Sequence, residues 1–324
     1  MTHNNLSKLT VVIPSYKAEH SIKTTLSSIE GLINAGVNVF VVEDGVYDKT
    51  ADVVSAFNIK HIQLKKNSGA SNARNIGLEE SNSDYIYFLD ADDWVSKKYI
   101  ENLLDVIHHQ DADICFGRVT KINQANKALS HFVPKEGEKS EEVLKRWLAG
   151  DTGPSPIGVL WKTNYLKKIG AWNKELRRND DGELMVRAML NSPKLAQSYL
   201  GNAFYRISPK QSLSKKYFDM NSFFAEKAIF NQLDKNFNKN NYLHDYLTFF
   251  IFRVAMETKY YGNQDAKYWQ DSLKKRHLNK NIIAKRFFYI RYIVYIYKFF
   301  GFETASKTFK FAQVLKKLKH RGKT

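Results

Sequence analysis

Brief apolar runs alternate with longer helical periodicities through the first 120 residues. Leu9–Pro14 (LTVVIP), Val37–Val42, Ile59–Leu64, Tyr85–Leu89 and Ala112–Val119 read as short strands. Tyr85–Leu89 is apolar or aromatic at every position, the mark of a buried strand. Between strands, Ser21–Ile33 sets Ile22, Leu26, Ile29 and Ile33 at i, i+4, i+7 and i+11, which is a helical stripe. Lys49–Phe57, Ser71–Glu80 and Val95–His108 read as further helices. This alternation predicts right-handed βαβ units and a doubly wound, mostly parallel sheet.

The pattern then loosens. Residues 121–140 are polar and weakly patterned, an expected excursion. Glu141–Leu148 reads as helix, and Gly150–Pro156 as a loop rich in breakers. Ile157–Trp161 is an expected strand, Asn164–Ile169 and Gly182–Asn191 expected helices, and Leu195–Tyr205 a returning strand. From Met220 onward the chain reads almost wholly as helix: Ser222–Asp234, Tyr242–Tyr261, Lys267–Arg276, Ile282–Phe300 and Thr304–Lys319. No fixed-period repeat is present.

The run Tyr85–Leu89 ends in Asp90-Ala91-Asp92-Asp93. Unpaired ionised carboxylates inside a buried strand cost several kcal/mol or more, so the acids belong at the strand's carboxyl end. That is where open α/β sheets bind ligands. Asp90 and Asp92, two apart, face one side of an extended backbone and offer hard oxygen ligands to Mg²⁺ or Mn²⁺. A plainer role is open to Asp92 or Asp93 as cap of the following helix.

Charge divides the chain. The net charge is +17, yet residues 1–200 hold 25 basic and 25 acidic side chains. Residues 201–324 hold the other 25 basic residues and 8 acids, so they carry the whole excess. That basic end should attract an anionic partner. The single cysteine, Cys115, excludes an internal disulfide and fits a reducing cytoplasm. The amino end lacks the pattern of a secretory signal, and no run of 18 apolar residues predicts a membrane span. The histidines show no zinc spacing, and neither a Walker loop nor a dinucleotide fingerprint is present.

Four patches fall at the ends of successive strands: Pro14-Ser15-Tyr16; Val41-Val42-Glu43-Asp44-Gly45-Val46-Tyr47-Asp48-Lys49-Thr50; Asn67-Ser68-Gly69-Ala70-Ser71-Asn72-Ala73-Arg74-Asn75-Ile76-Gly77; and Asp90-Ala91-Asp92-Asp93. In order and spacing they resemble the family 2, inverting type of nucleotide-sugar glycosyltransferase of bacterial surface-polysaccharide synthesis. The family pattern runs VVIPSY, VVDDGSxDxT, NxGxxxARNxGL and DxDD, matched over about residues 9–94. Glu43 departs from the family's usual Asp, and Val46-Tyr47 from its small polar pair.

The resemblance implies a GT-A-like α/β fold and a set of roles. Pro14 and Tyr16 would line the base pocket, with Glu43, Asn67 and Ala91 also on the nucleotide side. Asp44 would accept from a base N–H, or cap a turn. Arg74 would reach base or diphosphate, since a guanidinium chelates such oxygens. Asp90 would hold ribose or a metal-bound water, and Asp92 would ligate the metal. A second element, Gly170-Ala171-Trp172-Asn173-Lys174-Glu175-Leu176 followed by Arg177-Arg178-Asn179-Asp180-Asp181, resembles the family's Gly-Phe-Asp-Glu-x-Leu segment and its acidic pair. Inverting transfer needs a base for the acceptor hydroxyl, and Asp181 takes that role. Asp93, Asp180 and Trp161 fall to the acceptor side. Asp180, and also Asp181, could instead be favourable charges at a helix start. Arg206, in Tyr205-Arg206-Ile207-Ser208-Pro209-Lys210-Gln211-Ser212-Leu213-Ser214, would neutralise diphosphate charge or sit in a basic surface loop.

The expected organisation is a catalytic domain over 1–215 and a basic, aromatic-rich helical extension over 216–324. The nucleotide-sugar half is about 1–120 and the acceptor half about 121–215. The expected reaction is metal-dependent transfer from a nucleotide diphosphate sugar, UDP favoured, to a lipid-linked or polymeric surface glycan such as capsule, O-antigen or teichoic acid. The extension would dock on an anionic inner membrane face, making the protein cytoplasmic and peripheral, or pack as a helical or homo-oligomeric subdomain. Nucleic acid is not an expected partner. The other readings are a catalytically silent membrane-binding scaffold and a nucleotidyltransferase; the latter lacks its Gly-rich, Lys-bearing loop after the first strand.

Overall fold

The strands among the described residues are short. They are β1 (Leu9–Ser15), β2 (Asn38–Glu43), β3 (Lys60–Gln63), β4 (Tyr85–Phe88), β5 (Trp94–Val95), β6 (Ile114–Phe116), β7 (Val119–Ile122), β8 (Ala128–Phe132), β9 (Val159–Lys162), β10 (Leu195–Gln197) and β11 (Ala203–Arg206). Of these, β1, β4 and β6 are buried at every position. The computed structural model describes residues 3–45, 48–149, 155–207, 220–237, 243–260, 266–276 and 301–310, with positions 293, 296 and 297. Residues 1–143 with 153–214 form one compact unit, and residues 144–152 with 215–324 a second.

In the first unit a central sheet has the order β3-β2-β1-β4-β9-β6-β10. The β1–β2, β2–β3, β1–β4 and β6–β10 pairs are parallel, while β9 runs antiparallel to both neighbours. Every residue of β1 and β4 is buried, as continuous apolar runs covered on both faces must be. The helices of this part are α1 (Ile22–Ser28), α2 (Glu30–Ile33), α3 (Thr50–Val54), α4 (Ala70–Glu79), α5 (Lys97–His109), α7 (Thr163–Lys168) and α8 (Asp180–Leu190), while α6 (Ser140–Leu148) begins in the first unit and ends in the second.

A second, four-stranded sheet has the order β5-β11-β7-β8. It corrects several expected elements. The single strand expected over Ala112–Val119 is two strands, β6 and β7, which lie in different sheets; Leu195–Tyr205 divides likewise into β10 and β11. The expected excursion over 121–140 contains the β7–β8 hairpin. Its strand β8 is exposed at four of its five positions, so no apolar alternation marks it. The helix expected over Ser21–Ile33 breaks at Ile29 into α1 and α2. The helix expected from Val95 starts at Lys97 instead. Its cap is Ser96, whose hydroxyl accepts the Tyr99 N–H at 3.2 Å, so neither Asp92 nor Asp93 caps it.

Gly77 decides where α4 lies. A Cβ at Gly77 would collide with the Val12 side chain of β1, so the glycine brings the helix down onto the sheet. The buried face of α4 then carries Ser71, Arg74, Asn75 and Leu78, spaced i, i+3, i+4 and i+7.

The second unit is helical where described: α9 (Met220–Asn236), α10 (Leu243–Tyr260), α11 (Ala266–Lys274) and a helix over 301–310. Its aromatic side chains form a core. Trp269 is fully buried and meets Phe223, Phe230 and Phe250 edge to face. Ala305 and Phe309 are buried too. No helix among the described residues is long and apolar enough to cross a membrane. The helix expected over Ile282–Phe300 lies outside the described residues except at Ile293, Ile296 and Tyr297, as do Ser208–Ser214 of the expected loop and residues 311–319 of the last helix.

Candidate active site

Arg74 is the centre of the site. It is 5% exposed and held by the buried face of α4. Its Nη2 donates to Asp90 Oδ1 at 2.8 Å, at the end of β4. Its Nη1 donates to Asp180 Oδ2 at 3.4 Å and lies 3.7 Å from Asp181 Oδ1, both on the first turn of α8. Ser71, one turn earlier on α4, donates its hydroxyl to Asp180 Oδ2 at 2.5 Å. Burial alone would lower the Arg74 pKa, but Asp181, Asp90 and Asp180 outweigh it and raise it. The guanidinium is thus charged at any working pH. Its Nε is buried without a partner among the described residues.

Asp181 differs from its neighbours. Burial first, then the Asp180 and Asp90 charges, push its carboxyl up to about 7, against the pull of Arg74 and of a hydrogen bond from Trp172. Its side chain keeps 39% of its surface open, so water screens part of that shift. A carboxylate titrating near neutrality suits proton transfer. Asp180 begins α8, so this helix starts two residues before the expected Gly182 and both acids sit at its positive end.

The Asp90–Asp93 turn closes through the Asp93 N–H, which donates to the Asp90 carbonyl at 3.0 Å. Asp92 is exposed. Even so, crowding by protein and then the Asp90 charge push its carboxyl up to about 6, opposed by Arg206. Asp93 is 1% exposed. Its Oδ1 accepts the Arg206 backbone N–H at 2.8 Å, and its Oδ2 is buried without a partner among the described residues. Burial, then Asp90 and Asp92, hold this carboxyl well above the usual range. Burial and the same acids raise the phenol of Tyr205, which stays protonated.

The donor set here is all oxygen, which fits a hard divalent cation. Asp90 and Asp92 would hold it, and the mutual repulsion that raises Asp92 is the kind a cation relieves. No group of three His, Cys, Asp or Glu side chains among the described residues could hold a metal ion. Diphosphate oxygens and water would have to complete the shell, the usual arrangement for Mg²⁺.

At the carboxyl end of β1, Pro14 lies next to the last strand residue and Tyr16 stands 50% exposed just beyond it. Asp44 takes the turn role: its two carboxylate oxygens accept the Ser68 and Gly69 N–H groups, each at 2.7 Å. A base could reach only its remaining lone pairs. Asn67 donates to the Asp44 carbonyl at 3.4 Å. Glu43, 1% exposed, turns sideways to β3, where Oε2 meets His61 at 2.9 Å and Gln63 at 3.1 Å. Its Oε1 is buried without a partner among the described residues. Ala91 is buried beside the acids.

Trp161 corrects an expectation. It is 3% exposed in β9, paired to Ile86 on one side and Ile114 on the other, and so belongs to the sheet core. Trp172 was missed. Its indole N–H donates to Asp181 Oδ1 at 3.0 Å, and Asn75 holds its backbone. The signal was the indole standing where the resembled segment has Phe. Ser71 and Asn75 could have been found by their helical spacing from Arg74.

The family described as Glycosyl transferase family 2 matches residues 10–159. Glycosyltransferase GlyA of Streptococcus pneumoniae is 28% identical over 212 residues, 63% of this chain and 29% of its own. Poly(ribitol-phosphate) beta-N-acetylglucosaminyltransferase TarS of Staphylococcus aureus is 25% identical over 214 residues, 64% of this chain and 36% of its own. The chain thus spans about a third of the length of these curated relatives. A crystal structure of S. aureus TarS 1–349 in complex with UDP-GlcNAc aligns with a TM-score of 0.67 at 17% identity, over 94% of this chain and 91% of that one. That likeness is one of fold. With the motifs in order, a family match over residues 10–159 and a GT-A fold around Arg74, the chain is similar to the family 2 glycosyltransferases.

Proposed function

We propose that this protein transfers a sugar, with inversion, from a nucleotide diphosphate sugar to a hydroxyl of a growing cell-surface glycan. The observation that carries the reading is Arg74. One guanidinium joins the donor-side Asp90 to Asp180 and Asp181 of α8, so donor and acceptor chemistry meet within a few ångströms. Asp181 takes the acceptor proton on its outer oxygen as the acceptor oxygen attacks the anomeric carbon. The new C–O bond forms while the bond from that carbon to the diphosphate oxygen breaks, and the electron pair leaves with the nucleotide diphosphate. Arg74 and Arg206 steady charge at the site. Asp90 and Asp92 would hold a Mn²⁺ or Mg²⁺ ion, which would supply Lewis-acid stabilisation of the leaving diphosphate. UDP-GlcNAc is the favoured donor, since the fold neighbour TarS has been crystallised with it. A teichoic-acid-type polymer is the favoured acceptor, following the printed activity of TarS. The basic extension over 216–324 is assigned to an anionic inner membrane face, beside a lipid-linked acceptor, with pairing between copies as the other use of its helices.

The test is calorimetric titration of UDP, GDP, CDP and dTDP, each with and without Mn²⁺, on wild type and Asp92→Ala. Binding of UDP that depends on Mn²⁺ and disappears in the variant is expected. No nucleotide binding under any condition would overturn the reading.

A further inference from the structure

Trp172 belongs to no strand or helix, yet three elements of the unit converge on it. From α4, Asn75 takes both of its backbone groups: the Trp172 N–H donates to Asn75 Oδ1 at 3.0 Å, and Asn75 Nδ2 donates to the Trp172 carbonyl at 2.8 Å. From α8, Arg187 donates to the carbonyls of Ile169 and Ala171, the latter at 2.6 Å, which closes the turn leading into Trp172. Ala171 sits in that turn at φ +53°, a left-handed conformation that a non-glycine residue keeps only when its surroundings impose it. Arg187 is itself fixed by the buried Glu183 at 3.0 and 2.9 Å. From β4, Phe88 meets the indole edge to face, with ring centroids 4.4 Å apart. The Arg74 guanidinium lies over the same ring at 5.7 Å.

What this framework presents is one N–H, 3.0 Å from Asp181 Oδ1. We propose that Trp172 is the positioning residue for the base: its indole N–H fixes the Asp181 carboxylate by Oδ1 and leaves Oδ2 for the acceptor hydroxyl. The inference rests on the glycosyl-transfer reading above. A phenylalanine at this position would keep the ring packing against Phe88 and Arg74 and lose the donor.

Among the described residues, the charged and titratable groups that face Asp181 are Asp180 on its own helix, Arg74 from α4, Asp90 from the end of β4 and Tyr205 from β11. None of these is altered in Trp172→Phe. The N–H favours the ionised carboxylate, so its removal should move the Asp181 titration to higher pH, by roughly one unit for a single lost hydrogen bond.

The experiment is carboxyl-carbon NMR titration of Asp181 in the full-length wild type, in Trp172→Phe and in protein carrying β-(3-benzothienyl)alanine at position 172. The last keeps the bicyclic ring and replaces only the N–H by sulfur, so it serves if phenylalanine impairs folding. The pH profile of kcat for UDP-GlcNAc turnover is measured alongside. The expected result is an upward shift of both the titration and the acid limb, with kcat down at least tenfold at pH 6.5 and donor KM within threefold. An unmoved titration and limb in both variants, whether or not stability falls, would overturn the role. Wild type that titrates as expected but turns over no UDP-sugar would overturn the glycosyl-transfer reading instead, and the two failures are separable.

Discussion

Arg74 and Asp180 lie 106 positions apart in sequence, and Arg74 Nη1 reaches Asp180 Oδ2 at 3.4 Å. Asp181 Oδ1 is 3.7 Å from the same nitrogen. Truncation at Arg74 would leave Asp90, Asp180 and Asp181 facing one another with no cation between them. Arg74→Ala should therefore lose about 3 kcal/mol of stability, as expected when a buried ion pair is broken from one side. Arg74→Lys should fold better yet stay impaired, because a single ammonium cannot reproduce the fork that spans Asp90 and the two acids of α8. Urea unfolding of the three proteins at pH 7.5 checks this.

Asp181→Asn should retain UDP binding and lose turnover by about 10³-fold, within the range set by loss of a general base. Isothermal titration and a coupled UDP-release assay separate the two effects.

The same variant carries a prediction about pH and stability. The folded Asp181 carboxyl is raised to about 7 from the ordinary aspartate value of 3.8. Between those values the folded protein holds a proton that the unfolded chain has released, so stability falls as pH rises through the interval. Asp181→Asn removes that slope. Wild type and variant should be closest in stability near pH 4, and the variant should gain on wild type as pH approaches 8. The exposure of the side chain keeps the effect modest, and denaturant midpoints at pH 4.5, 6 and 8 measure it.

Gly77→Ala places a methyl group against Val12 and forces α4 away from β1. Overpacking of this kind costs about 1–3 kcal/mol. Because Ser71, Arg74 and Asn75 ride on the same helix, turnover should fall further than the stability change alone predicts. Combining it with Val12→Ala, which opens the space, should restore turnover in part.

Removal of divalent cations by a chelator should abolish transfer, and Mn²⁺ should restore it in wild type. Asp92→Asn should need a higher Mn²⁺ concentration for half-maximal rate. A rate indifferent to chelation would remove Asp92 from the metal role.

Much of this protein was determined locally. Apolar runs such as Leu9–Pro14 and Tyr85–Leu89 can be buried only between two covering layers, and acids directly after them must emerge at the sheet edge. The motifs over residues 9–94 carry their own spacing, so their order along the chain was enough to show the family resemblance. What sequence did not decide depends on contacts between distant segments. Strand β9 enters between β4 and β6 and buries Trp161, which pairing alone could settle. Breaks at residues 117–118 and 198–202 send continuous apolar patterns into two sheets, and no local propensity encodes which sheet a strand joins. Asp44 and Asp181 are both short acids in polar loops or helix starts. Only tertiary structure gives one to backbone amides and sets the other beside Arg74 and Trp172, because a carboxylate's role is fixed by the charges and donors that folding brings around it.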